Sequence, residues 1–138
     1  MPPTAPYIGI GEILFASDLD QHDMESLHYL LSWALAFGAN LQVLHITEND
    51  NSQERAGKKM NLMKRFFEDK VPANLISYKI LEGKTAEKIN EYATTIDADV
   101  LVMSTHIKKY WEQLLAYSTT RDIARTIDIP ILVLKEEG

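Results

Sequence analysis

Apolar residues in this chain cluster into five short runs, separated by polar stretches and by segments with helical spacing. Ile13, Leu14, Phe15, Ala16 and Ser17 form the first run, closed by Asp18, Leu19 and Asp20. A continuous apolar run bounded by polar residues predicts a buried strand ending in a loop. Residues 24–37 follow, with Leu27, Leu30, Leu31, Ala34 and Leu35 at helical spacing, Trp33 as ordinary core and Gly38 at the C-cap. Residues 41–46 predict a second strand, in which His45 is packed near the strand end, and residues 47–52 a polar loop. Residues 53–69 predict a helix with Met60, Met63, Phe66 and Phe67 on one side, Lys58, Lys59 and Lys64 on the other, and Pro72 soon after.

Residues 75–81 alternate only in part, which predicts a less buried, edge-like third strand. Gly83 and then Thr85, a candidate N-cap, introduce a helix over residues 86–96. Residues 100–103 predict a fourth strand, residues 118–126 a last helix and residues 131–134 a fifth strand. Strands alternating with helices imply one α/β domain: a doubly wound, five-stranded parallel sheet. Right-handed crossovers place helices on both of its faces. The domain runs over residues 12–138. Residues 1–11 read as a flexible or loosely docked leader, because Pro2, Pro3 and Pro6 fix φ and remove donors. A linker remnant of a larger parent protein is the alternative.

The length of 138 residues suits a single domain. A formal net charge of −6 gives no overall attraction to nucleic acid or to an anionic membrane surface. The absence of cysteine excludes disulfides, thiol nucleophiles and thiolate metal sites, and fits a reducing cytosol. No apolar run is long enough to span a bilayer, and residues 1–6 lack the basic and apolar regions of a secretory signal.

Catalytic and metal signatures are weak. His22, His28, His45 and His106 include no pair at metal-ligand spacing. Ser104, Thr105, Ser118, Thr119 and Thr120 lack a nucleophile elbow, and no paired carboxylate accompanies His106. Asp18, Asp20 and Asp23 precede a helix, where acids favour the first turn, so a solvated helix start is expected rather than a cation site. Lys108, Lys109, Arg121 and Arg125 read as a solvated face. Tyr110 and Trp111, large aromatics in a polar segment, read as filling a cleft.

The order of these elements resembles the universal stress protein family. The residues that carry the resemblance are Ile13 to Asp18, Phe37-Gly38-Ala39-Asn40-Leu41 with His45-Ile46, Gly83 before the third helix, Asp97 to His106, and Ile129 to Leu134. The resemblance implies strand order 3-2-1-4-5, with a ligand cleft at the carboxyl ends of strands one and four, where strand order reverses. It implies a candidate site of Asp18, Ile46, Ser104, His106, Ile107, Tyr117 and Ser118. The nucleotide-binding branch of the family carries Gly-x-x-Gly, nine residues, then Gly and Ser or Thr, so that amides can approach phosphate. Laid on this chain, the three glycines fall on Ser104, Ile107 and Tyr117, and only the final hydroxyl survives, as Ser118. From Ser104 to Ile129 there is no glycine at all.

The chain therefore resembles the branch without the glycine motif, with no cofactor expected. By this reading it is a cytoplasmic protein that acts by binding rather than turnover. Its partner would be a second copy, paired through Ile131, Leu132, Val133 and Leu134, an apolar edge that proteins avoid exposing. Neither nucleic acid binding nor membrane insertion is expected. One alternative is a member that binds ATP through a degenerate loop, in which Asp18 touches the adenosine part instead of satisfying loop amides. Another is a regulatory domain associated with a membrane transporter.

Overall fold

A computed structural model describes residues 10–48, 53–72, 74–104 and 130–134. Its elements are β1 (Glu12–Ala16), α1 (Gln21–Phe37), β2 (Asn40–Thr47), α2 (Gln53–Phe67), β3 (Ile76–Glu82), α3 (Thr85–Thr95), β4 (Val100–Ser104) and β5 (Ile131–Leu134). The strands form one sheet in the order β3-β2-β1-β4-β5. Every pair is parallel. The helix expected over residues 118–126 lies outside the described residues.

The period-two alternation of side chains divides the sheet between two cores. Ile13, Phe15, Leu41, Val43 and Val102 face α1 and α2, where they meet Leu27, Leu30, Met60, Met63 and Phe67. Leu14, Ala16, Leu44, Leu101 and Met103 face α3, where they meet Ile89 and Ala93. Phe15 is the central residue of this arrangement. It is paired to Val43 on one side and Val102 on the other, and it is fully buried. Burial on both faces explains why β1 and β4 read as continuous apolar runs. On β3, one of the two edge strands, no residue is fully buried and the pattern alternates in part, as its sequence does.

Several local expectations change. α1 begins at Gln21 rather than Met24, because Asp20 caps it and accepts the Asp23 N–H. Its first turn is polar and invisible to apolar periodicity. α2 ends at Phe67, two residues before the expected end, in a turn where the Lys70 N–H meets the Phe67 carbonyl at 3.0 Å. Phe66 lies off the buried stripe of Ala56, Met60, Met63 and Phe67, and stacks edge-on against His28 instead. Leu35 and Trp33 are not core: they are 54% and 37% exposed. Leu27, Leu30, Leu31 and Ala34 already make up the buried stripe, and Leu35 falls outside its roughly 100° arc. Trp33 flanks the side of α1 toward β4 and β5, where no described helix packs.

At the other end of α1, Gly38 adopts a left-handed conformation with φ 68° and donates its N–H to the Ala34 carbonyl. A Cβ there meets nothing within 4 Å, so only backbone strain opposes a side chain. Gly38→Ala is therefore expected to cost about 1 kcal/mol in urea denaturation, the penalty of placing an L-residue in that region.

Distant residues tie the amino ends of the strands together. The Asp99 carboxylate accepts the N–H groups of Gly11 and Glu12 at 2.7 and 2.9 Å. The Tyr92 hydroxyl donates to Gln42 Oε1 at 2.6 Å. Burial, and then the Glu12 carboxylate, raise the Tyr92 pKa, so the phenol stays a protonated donor.

Candidate functional site

The sheet order reverses between β1 and β4, the position beyond whose carboxyl ends a parallel sheet of this kind holds ligands. A small cleft opens beside it, lined by Ser17, Asp18, His45, Ile46, Thr85 and Ile89, with Ala16 and Leu44 as its floor. Its cavity volume is about 30 Å³, room for a water or two.

The β1–α1 loop is held by its own side chains. Asp23 is completely buried. Its Oδ2 accepts the Ser17 hydroxyl at 2.9 Å and the Asp18 N–H at 2.6 Å. The Asp23 N–H donates to Asp20 Oδ1 at 3.0 Å, and Ser17 Oγ accepts the Leu19 N–H at 2.9 Å. Leu19 sits at φ 60°, a region that a branched side chain avoids, and its side chain is buried in the α1 core. These contacts hold a strained residue next to Asp18, which lines the cleft. The expectation of a solvated helix start fails for Asp23, because its carboxylate is needed inside to satisfy the turn. The role of satisfying loop amides, weighed for Asp18, also belongs to Asp23. Asp18 is exposed and lines the cleft.

From β2, His45 Nδ1 lies 2.8 Å from the Ser17 carbonyl. A carbonyl only accepts, so Nδ1 carries the hydrogen in this contact. The imidazole thereby joins the ends of β1 and β2, which the Ser17 N–H also links through the Leu44 carbonyl at 2.8 Å.

The third wall is the start of α3, where Thr85 is not the N-cap. That position is Lys84, whose side chain makes no capping bond. Thr85 is the first helical residue, and it gives both its hydroxyl (2.6 Å) and its N–H (3.3 Å) to Glu48 Oε2. A carboxylate arriving from the end of β2 does the work of a local cap and suits the positive end of the helix. The N-terminus of α3 at the cleft, and that of α1 in the loop that follows Asp18, thus already face carboxylates of the chain. Among the described lining residues Asp18 is the only carboxylate, and none is Lys or Arg.

Of the residues expected at the site, Asp18 and Ile46 meet in the cleft. Ser104 ends β4, one residue beyond the Ala16↔Met103 pair, at the same end of the sheet. His106, Ile107, Tyr117 and Ser118 lie outside the described residues, as do Lys108, Lys109, Tyr110 and Trp111. Ser17, expected with Asp18 at the switch point, lines the cleft. Sequence reasoning missed Asp23, Glu48 and Thr85 as parts of the site. The Asp20-x-x-Asp23 spacing, similar to a capping box, was a usable signal for the first loop. Nothing local links Glu48 to Thr85, which are 37 residues apart.

The model of the Universal stress protein family matches residues 9–135. The chain belongs to the universal stress protein family. No curated protein matches it in sequence. Among solved structures, a universal-stress-family protein from Burkholderia pseudomallei is 20% identical at TM-score 0.70, covering 94% of this chain and 98% of that one. A universal stress protein from Archaeoglobus fulgidus in complex with dAMP is 14% identical at TM-score 0.66, covering 93% and 100%. Another, in complex with cAMP, is 14% identical at TM-score 0.62, covering 94% and 100%. At such identities these universal stress proteins share the fold with this chain. Among the described residues, no helix is long and apolar enough to cross a membrane.

Proposed function

We propose that this universal stress protein acts in the cytoplasm by binding and association rather than by turnover, as a homodimer that holds ATP only weakly. The observation that carries the reading is the occupation of the helix N-termini at the cleft. Such termini are natural anion sites. Here Asp20 takes the Asp23 N–H of α1, Glu48 takes the Thr85 N–H of α3, and the Asp23 carboxylate takes the Asp18 N–H of the loop between β1 and α1. A triphosphate approaching these helix ends would have to displace carboxylates and meet their charge. The glycine positions filled by Ser104, Ile107 and Tyr117 support the same reading, that of a member resembling the branch without the glycine motif.

A second reading, binding of an adenine nucleotide, draws on the relatives in complex with dAMP and cAMP. Asp18 at the cleft and the retained hydroxyl of Ser118 favour it. Isothermal titration separates the two. Mg-ATP is expected to bind with Kd weaker than about 1 μM, a free energy smaller in magnitude than roughly 8 kcal/mol. Tighter binding, or nucleotide released from the purified protein on denaturation, overturns the first reading. Titrations with cAMP and dAMP test the second.

A further inference from the structure

The net charge of −6 is unevenly spread along the chain. Residues 55–67 of α2 carry Arg55, Lys58, Lys59, Lys64 and Arg65 and no acid. The helix turns Ala56, Met60, Met63 and Phe67 inward. Lys64 lies at its side, with the ammonium 5.9 Å from the centre of the Tyr78 ring. The outer face is left to Arg55, Lys58, Lys59 and Arg65, all of them exposed. None of these four has a carboxylate partner among the described residues. In their midst stands Leu62, 66% exposed. Lys58 and Lys59 precede it by one turn, and Arg65 and Phe66 follow it by one turn. Phe66 is 43% exposed, and the Lys70 ammonium sits 4.4 Å from the centre of its ring. The groove between Trp33 and Leu132, on the same side of the sheet, has no charged residue among those described in its lining. The outer face of α2 joins charge to apolar area.

We propose that this face docks on the surface of an anionic phospholipid bilayer, with Leu62 and Phe66 entering the headgroup layer and the four cations meeting lipid phosphates. The face is convex and its apolar side chains protrude, so a soft surface receives them without a matching pocket. Interfacial helices hold to membranes by the same two contributions, buried apolar area and attraction to anionic lipid. A polyanion held by charge alone would give Leu62 no role. The acids of this region, Glu54, Glu68 and Asp69, lie at the two ends of the helix, outside its central turns. The negative charge of the rest of the chain acts weakly on the contact, because exposed charges more than about 10 Å apart are largely screened in 0.1 M salt. A dimer paired through β5 leaves the face free, since α2 packs over β2 and β3 and β3 is the opposite edge of the sheet. The docking is peripheral, and it is independent of what the cleft binds.

The test uses the full chain and vesicles of phosphatidylcholine with about a third phosphatidylglycerol, read by co-sedimentation. Binding is expected in about 0.1 M salt and not in about 1 M, nor on pure phosphatidylcholine. Lys58→Ala with Arg65→Ala should lower the partition coefficient about thirty-fold, roughly five-fold for each cation removed from the surface. Lys79→Ala with Lys84→Ala removes the same net charge from the other side of the sheet. Lys79 alternates with Tyr78 and Ile80 of the core under α1 and α2, and Lys84 is the N-cap of α3. That pair should change binding less than about two-fold. Leu62→Ser should cost about five-fold and keep the salt dependence. All these side chains are exposed, so circular dichroism should stay unchanged. A wild-type chain that ignores the anionic vesicles in about 0.1 M salt overturns the proposal. Equal losses in the two lysine and arginine pairs overturn it too, since binding would then follow net charge and not this face. If Leu62→Ser binds as well as wild type, the occupant is a polyanion such as an acidic peptide or a nucleic acid, and the bilayer is ruled out. If Leu62→Ser instead splits a wild-type dimer, a second copy covers the face and the proposal falls.

Discussion

Asp23→Ala is expected to cost about 4 kcal/mol of stability and to loosen the β1–α1 loop. The carboxylate is wholly buried and accepts the Ser17 hydroxyl and the Asp18 N–H. Hydrogen bonds to a charged group contribute about 1.5–3 kcal/mol each, and their removal strands buried donors. Alanine returns none of this, and leaves Leu19 at φ 60° with less to hold it. Asp23→Asn keeps the shape and one acceptor oxygen, so about half the loss is expected. Urea denaturation reads both values: with a slope near 2 kcal/mol per molar, the alanine variant should lose about 2 M in its midpoint. A loss below about 1 kcal/mol would mean that the loop is held by something other than this carboxylate.

The second large effect concerns the proposed homodimer. β5 is last in the sheet order, with β4 as its single partner among the described residues. Leu101 donates its N–H to the Pro130 carbonyl at 3.0 Å. In an evenly spaced parallel ladder, this turns the backbone groups of Leu132 toward β4 and those of Ile131 and Val133 toward the open edge. Val133→Pro therefore removes an edge donor while leaving the ladder to β4 intact, and an edge strand tolerates proline in that orientation. In a symmetric pair the loss occurs twice, and each lost donor leaves a carbonyl of the other copy unsatisfied. The expected cost is about 3 kcal/mol, roughly a hundred-fold in Kd. Sedimentation should show wild-type dimer and variant monomer, with circular dichroism unchanged. Wild-type protein that stays monomeric at high micromolar concentration sinks the interface. If the proline variant still dimerises, the two copies meet elsewhere.

The family model and the parallel sheet bear out the resemblance on which strand order was expected. The runs at β1 and β4 were legible because a strand buried on both faces must be apolar at every position. The helices were legible from periodicity wherever a buried stripe exists, and failed where it does not: the polar first turn of α1, the end of α2, and Leu35 and Trp33. Of the candidate site, Asp18 and Ile46 could be placed because they sit at the carboxyl ends of the first two strands. Asp23 was misplaced because a carboxylate in a first helical turn is usually solvated, and only the path of the loop shows that this one turns inward.

By itself the sequence determined which of the described segments become strands and helices, where α1 stops, and that the glycines of a phosphate loop are missing, since each of these depends on neighbours a few residues away. Only the tertiary structure decided that Glu48 caps α3, that His45 joins the ends of β1 and β2 through Ser17, and that Trp33 faces an open groove rather than the core. Those contacts join residues 37 and 28 positions apart, or depend on which strands a helix leaves uncovered. They arise from the order in which crossovers lay the strands side by side, and no local pattern along the chain carries that order.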